Sequence, residues 1–272
     1  MTEKTPYILV LNAAEGLLQI LIARQEEDGG YTRLCYQSWH APSQGAELLA
    51  PALADAFARL RIAARDIGKI AAVRGPGSFT GLRLALATAS GLARASGALR
   101  AGLDYLPLLA RGALRAIPAS PACPAPRRAW VFTHARRGLI HMQGFEELRP
   151  ISDVLVCSPE EAVLFLGRFE APPLVSLVLG SGLTRNREFF LRALPERYLL
   201  LSSAFEHPTP EALQEAATNA VYSTAEPEPL YIREADAIDN LERIAASLGL
   251  DPVAAKERLG ELLVSCPQTQ YR

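Results

Sequence analysis

Ile67-Gly-Lys-Ile-Ala-Ala-Val-Arg-Gly75-Pro-Gly-Ser-Phe-Thr-Gly-Leu-Arg83 is a β-prone run that breaks into a glycine-rich turn and then into leucines at helical spacing. Ile67 to Val73 reads as a strand. Leu82, Leu84, Leu86, Ala89 and Leu92 place a long Ala-rich helix that reaches about Ser96. The start of a helix exposes unpaired N–H groups and positive potential, which suits an anion, and Ser78 and Thr80 are placed to cap it or to donate to a phosphate. Gly75, Gly77, Ser78, Thr80 and Gly81 are therefore the candidate phosphate-proximal turn. Two features argue against a nucleotide loop: Gly75 and Gly81 are one residue too far apart for a Walker loop and Leu82 stands where that loop needs Lys, and no G-x-G-x-x-G occurs. From these residues alone, a capped helix start with glycines that permit a tight entry outweighs a nucleotide site.

Working outward, Tyr7 to Leu11 and Leu17 to Ile22 form a predicted β-hairpin around Asn12-Ala-Ala-Glu-Gly16, and Tyr31 to Trp39 forms a third strand. Leu48, Leu49, Leu53, Phe57 and Leu60 follow the helical period from Ala46 to just before Asp66. The first hundred residues thus spell βββαβα. Beyond Asp104 the pattern predicts a helix over Leu106 to Ile117 and a hairpin over Ala129 to His134 and Leu139 to Phe145. Short helices follow at Glu160 to Leu166 and Arg187 to Leu194, around a buried strand from Leu174 to Leu179. Four Pro in the nine residues Pro118 to Pro126 exclude regular structure there. A helix over Pro210 to Val221 is expected to pack back on the first block. Ile238, Leu241, Ile244 and Leu248, then Val253, Leu259, Leu262 and Leu263, read as a helical hairpin closing the chain.

With 272 residues, 49% of them hydrophobic, and a formal net charge of −1, the composition is that of a globular protein. The −1 is a cancellation. Arg94 to Arg137 carries eight Arg against Asp104 alone, whereas Leu201 to Arg272 carries twelve Asp or Glu against five Lys or Arg. Cys35, Cys123, Cys157 and Cys266 are too scattered for a zinc ribbon or a disulfide framework, and no apolar run approaches the ~20 residues of a membrane span. A cytoplasmic protein without a membrane anchor is expected.

The inventory of chemistry is thin. His40, His134, His141 and His207 form no metal-binding pair on a helix, although His134 and His141 could meet across a hairpin. No G-x-S-x-G elbow occurs, and Ser78 has no evident His or Asp partner. Arg127, Arg128, Arg136 and Arg137 could touch a phosphate backbone, but without interleaved aromatics a solvated basic face is the stronger reading.

Gly75-Pro-Gly-Ser-Phe-Thr-Gly-Leu-Arg83 resembles the signature of the bacterial tRNA threonylcarbamoyladenosine biosynthesis protein TsaB (YeaZ) family. Glu47-Leu-Leu-Ala-Pro51 ahead of the first helix, Ala135-Arg-Arg-Gly138, Gly180-Ser-Gly182 and Pro229-Leu-Tyr-Ile-Arg233 agree with that family in the same order. The resemblance implies an α/β fold of two ribonuclease-H-like lobes, as in actin, Hsp70 and sugar kinases. The lobes would span 1–104 and 105–209, with 234–272 as a helical C-terminal extension. It implies a noncatalytic subunit that supports a TsaD-type paralogue, which transfers a threonylcarbamoyl group to N6 of adenosine in tRNA, together with a TsaE-type ATPase. ATP and metal would be used by those partners and none bound by this chain, and tRNA would be met through the complex. The resemblance assigns pairing, with the paralogue or with a second copy, to the helices flanking the turn: Glu47, Leu48, Arg83, Ala85 and Ala89.

Three departures stand out. The family's Asp-Thr-Ser is Asn12-Ala13-Ala14, its Asp-Ala-Arg-x-x-Glu-Val-Tyr is His134-Ala-Arg-Arg-Gly-Leu-Ile-His141, and Gly45 stands where His is common. A nucleotide-binding or peptidase-like enzyme of the same fold is the alternative function.

Overall fold

The computed structural model describes residues 6–117, 128–169, 175–232 and 251. The Pro-rich stretch, Arg127, Leu174 and the expected C-terminal helical hairpin lie outside them. Residues 1–230 form one compact unit and 231–272 a second.

The first sheet is built from β1 (Tyr7–Asn12), β2 (Leu17–Gln25), β3 (Tyr31–His40), β4 (Ile67–Gly75) and β5 (Leu99–Asp104), in the order β3-β2-β1-β4-β5. β1 to β3 pair antiparallel, and β4 and β5 continue the sheet in parallel with β1. Parallel neighbours need crossovers, supplied by α1 (Gly45–Leu60) and α2 (Phe79–Ser96). The second sheet repeats the scheme in shorter form. β6 (Arg128–Arg136) and β7 (Leu139–Glu146) make a hairpin, β10 (Ser176–Leu179) and β11 (Tyr198–Leu200) run parallel to β6, and β8 (Arg149–Pro150) and β9 (Leu155–Cys157) pair with β7. Its helices are α4 (Pro159–Leu166), α5 (Ser181–Arg185) and α6 (Arg187–Ala193). The helices α3 (Tyr105–Ala116) and α7 (Pro210–Thr218) complete the body.

Strand periodicity sorts the side chains into three apolar layers. Leu9, Leu11, Ile20, Ile70 and Ala72 pack outward against Leu49, Leu53, Leu86 and Ala89 of α1 and α2. Their strand neighbours Ile8, Val10, Ala71 and Val73 point the other way, and with α3 and α7 they share one core with Ala129, Val131, Leu177 and Leu179 of the second sheet. Trp130, Phe132, Met142 and Val178 face outward again, onto Ala162, Leu166 and Phe190. Central strands covered on both faces account for the continuous apolar runs of β1 and β4, whereas the edge strand β3 is only half-buried. The result is the expected two-sheet α/β architecture, with α3 and α7 as the layer between the sheets.

Several elements differ from expectation. β5 escapes the periodicity because Arg100 and Gly102 interrupt it. Gly102 is small because the Arg74 side chain crosses it, where a Cβ would lie 2.7 Å from Arg74 Cδ, on the way to Asp104 at 2.6 Å. The first helix stops at Leu60, where Arg61 turns left-handed at φ 55°, and only a 3-10 turn continues to Asp66, whose carboxylate accepts the Ala63 N–H at 2.7 Å. Glu47 to Pro51 lies within that helix rather than ahead of it. α7 ends at Thr218, not Val221.

Candidate functional site

The glycine-rich turn does bring Gly75, Gly77, Ser78, Thr80 and Gly81 to one helix start, where the first hairpin turn packs against Gly77 and Gly81 while Ser78 and Thr80 stay exposed. The Ser78 N–H donates to the Ala14 carbonyl at 2.6 Å. A Cβ on Gly77 would lie 2.5 Å from the Ala14 carbonyl oxygen, and one on Gly81 would lie 1.9 Å from that of Ala13. Gly77 and Gly81 are there for backbone-on-backbone contact. Ser78 caps α2, its Oγ accepting from the Gly81 N–H at 3.4 Å. Thr80 borders a small cleft of about 80 Å³ with Leu17, Pro42 and Gly45. Asn12 is fully buried and turned inward: its Nδ2 donates to Gln19 Oε1 at 2.6 Å and its Oδ1 accepts the Ala14 N–H at 3.0 Å.

Of the five residues assigned to a pairing surface, three reach the surface. Glu47 and Arg83 are exposed and Leu48 is half-buried, with the Arg83 guanidinium 3.9 Å from the centre of the Phe79 ring. Ala85 and Ala89 are not: both are 0% exposed and belong to the core beneath α2. Their small size lets the helix approach its own sheet, not another chain. The outward face of α2 is Arg83, Ala87 and Gly91 instead.

The histidine pair across the second hairpin does not form. His141 is opposite Thr133 and His134 opposite Ile140, so alternation sends the two rings to opposite faces of the sheet. Among the described residues no group of three or more His, Cys, Asp or Glu could hold a metal. Nor is the basic block free. Arg111 and Arg115 both bond Glu215, at 2.5 and 2.6 Å, and Arg94 and Arg100 both bond Glu226. Arg128 is tied to Glu146 at 2.9 Å and to the Phe169 carbonyl. The positive middle and the negative end of the sequence fold onto each other, while Arg136 and Arg137 stay exposed in the β6–β7 turn.

A constellation that the sequence did not reveal lies where the β1–β2 turn meets α5 and the start of α3. Glu15, in the β1–β2 turn, accepts from Ser181 Oγ at 2.7 Å and lies 3.3 Å from the Tyr105 hydroxyl. Ser181 Oγ accepts the His134 N–H at 2.9 Å, and the Tyr105 hydroxyl also meets the Glu206 carbonyl at 3.2 Å and His207 Nδ1 at 3.3 Å. Burial pushes the Glu15 carboxyl up to about 7, against the lowering effect of the Ser181 and Tyr105 hydroxyls and the His134 N–H. Burial also lowers His134, aided by Arg185, and lowers His207. These residues come from five separate segments, so no local motif could have announced them. A hydrophobic turn interrupted by one carboxylate was the sole signal.

Comparison with known proteins bears on the fold. Residues 40–169 match the family model described as TsaD: tRNA N6-adenosine threonylcarbamoyltransferase. Comparison with curated proteins finds no match. YeaZ from Pseudomonas aeruginosa superposes with a TM-score of 0.61 at 21% identity, covering 84% of this chain and 100% of the other. A protein described as similar to peptidase YeaZ, from the same organism, superposes at 0.63 with the same identity and coverage. The chain is therefore a YeaZ-like protein in fold, with a TsaD-family sequence match running from the end of β3 through α4.

Proposed function

We propose that this chain is a noncatalytic partner subunit in tRNA N6-threonylcarbamoyladenosine biosynthesis, binding and supporting a TsaD-type catalytic paralogue. The observation that carries this reading is the packing of the first hairpin turn onto the glycine-rich turn. Asn12 spends its amide inside the protein, the Ala14 carbonyl takes the Ser78 N–H, and the Ala13 carbonyl lies against Gly81. A turn packed this way suits a scaffold, and it leaves ATP and metal to the partner proteins, the paralogue and a TsaE-type ATPase. The outward face of α1 and α2 supports a pairing role. Glu47 and Arg83 frame the small residues Ala87 and Gly91, over which another helix can approach closely. The same face would serve a second copy of the chain when the paralogue is absent. tRNA is met through the assembled complex, since most of the basic block is already paired within the chain. Free thiols at Cys35 and Cys157 suit a reducing cytoplasm.

The test is copurification with the TsaD-type paralogue of the same cell. A stable complex that Ala87→Glu or Gly91→Glu weakens is expected. Two folded proteins that do not associate would overturn the reading, and tight binding of ATP with Mg²⁺ by the isolated chain would favour an enzyme of this fold instead.

A further inference from the structure

Arg94 and Arg100 are held by Glu226, Arg111 and Arg115 by Glu215, and Arg128 by Glu146. One corner of the second sheet is built differently. The segments 129–145 and 175–187 contain no Asp or Glu, yet they carry Arg136, Arg137, Arg185 and Arg187 together with His134 and His141. Arg187 turns its guanidinium onto the Leu200 and Leu201 carbonyls, whereas Arg136, Arg137 and Arg185 are exposed. Among the described residues, Arg137 and Arg185 have no ion-pair partner.

Packing brings these two segments together. α5 begins directly on the end of the β6–β7 hairpin: Ser181 Oγ accepts the His134 N–H at 2.9 Å, and a Cβ on Gly182 would lie 2.9 Å from Ile140 Cγ2 and 3.0 Å from the Thr133 carbonyl oxygen. Arg185, the last residue of α5, thereby comes within electrostatic reach of His134, and Arg136 and Arg137 follow two and three residues later in the turn. Glu15 reaches the same corner, but its carboxyl is buried and spent on Ser181 and Tyr105. The aromatic side chains Trp130, Phe132 and Phe145 of these segments are buried, so the corner offers charge without a platform on which a base could stack.

We propose that Arg137 and Arg185, with Arg136 beside them, are a direct contact for the phosphate backbone of tRNA, gripping the polyanion without reading its bases. The identity of that polyanion rests on the role in tRNA threonylcarbamoylation proposed above. Exposed cations gathered with no acid among them repel one another, and a phosphate chain relieves that repulsion. A guanidinium meets two phosphate oxygens at once through its forked N–H groups, which suits arginine to such a contact better than lysine. Binding of this kind positions an RNA and releases its counterions, so it is independent of sequence and falls steeply with salt.

Two measurements test this. In the first, the isolated chain, labelled with ¹⁵N, is titrated at low salt with an unmodified tRNA transcript, and amide shifts are expected at Arg137, Gly138 and Arg185. No shift there overturns the contact, and equal shifts with hexaglutamate at the same total charge overturn it in favour of an acidic protein partner. In the second, tRNA affinity of the complex with the TsaD-type paralogue is followed against salt. Combining Arg137→Ala with Arg185→Ala is expected to weaken binding about tenfold at low salt and to lower the slope of log affinity against log salt by about 1.5. Arg149→Ala, an exposed arginine at the other end of β7, is expected to leave both near wild type. An unchanged slope in the double variant, or an equal fall in Arg149→Ala, rejects the contact. Amide shifts at this corner without any complex would overturn the partner reading and leave the contact standing.

Discussion

The glycine-rich turn and the Glu15 network lie at opposite sides of the same hairpin turn, and they are built on opposite principles. At the turn, Ala13 and Ala14 present backbone carbonyls to Gly77, Ser78 and Gly81, with no side-chain chemistry and no room for a Cβ. One residue further on, Glu15 presents a carboxyl to the hydroxyls of Ser181 and Tyr105, in a network completed by the His134 N–H and the Glu206 carbonyl. The contrast teaches where this fold has been closed and where it retains a titratable group. The glycines answer to backbone packing, while the Glu15 carboxyl answers to groups drawn from distant segments.

The largest effect is expected from breaking the glycine packing. Gly81→Ala places a methyl group 1.9 Å from the Ala13 carbonyl oxygen, a contact that only a backbone shift can relieve, and should cost upwards of about 3 kcal/mol in chemical denaturation. Ala89→Glu buries a carboxylate in the outer core and should unfold the protein to a similar degree, about 3 kcal/mol or more, whereas Ala87→Glu one turn-face away should leave thermal stability nearly unchanged and act on copurification only. Asn12→Asp removes the donor to Gln19 Oε1 and sets two acceptors against each other in a buried site, so a loss of about 1–3 kcal/mol is expected, with no gain in ATP binding by titration calorimetry. On the Glu15 side, Tyr105→Phe should cost about 1–2 kcal/mol in chemical denaturation, because the Glu206 carbonyl and Glu15 lose the hydroxyl between them. The smallest effect belongs to the surface: Arg115→Ala removes one of the two cations on Glu215 and should cost below about 1 kcal/mol, measured by thermal unfolding at low and high salt.

Much of the fold was legible because strand and helix periods are local properties. The hairpin at Tyr7 to Ile22, the strand into the glycine turn and the Ala-rich helix all appear where apolar spacing put them. β5 was not legible, since it is an edge strand whose Gly102 answers to the Arg74 side chain and not to a periodic pattern. Ala85 and Ala89 were misplaced for a related reason. Periodicity marks one face of a helix as apolar, but small apolar residues suit a partner helix and a parent sheet equally well, and only packing assigns them to β4 and its neighbours.

By itself, the sequence determined the element order, the strand–glycine turn–helix unit and the imbalance between an arginine-rich middle and an acidic end, because each depends on residues close together in the chain. Only the tertiary structure decided what those features meet. It set the glycines against Ala13 and Ala14, folded Arg94, Arg100, Arg111 and Arg115 onto Glu215 and Glu226, and brought Glu15, Tyr105, Ser181 and His207 together from distant segments. Short-range spacing can fix which face of an element is apolar. Which face meets which, and which charge loses its water, is settled by long-range packing alone.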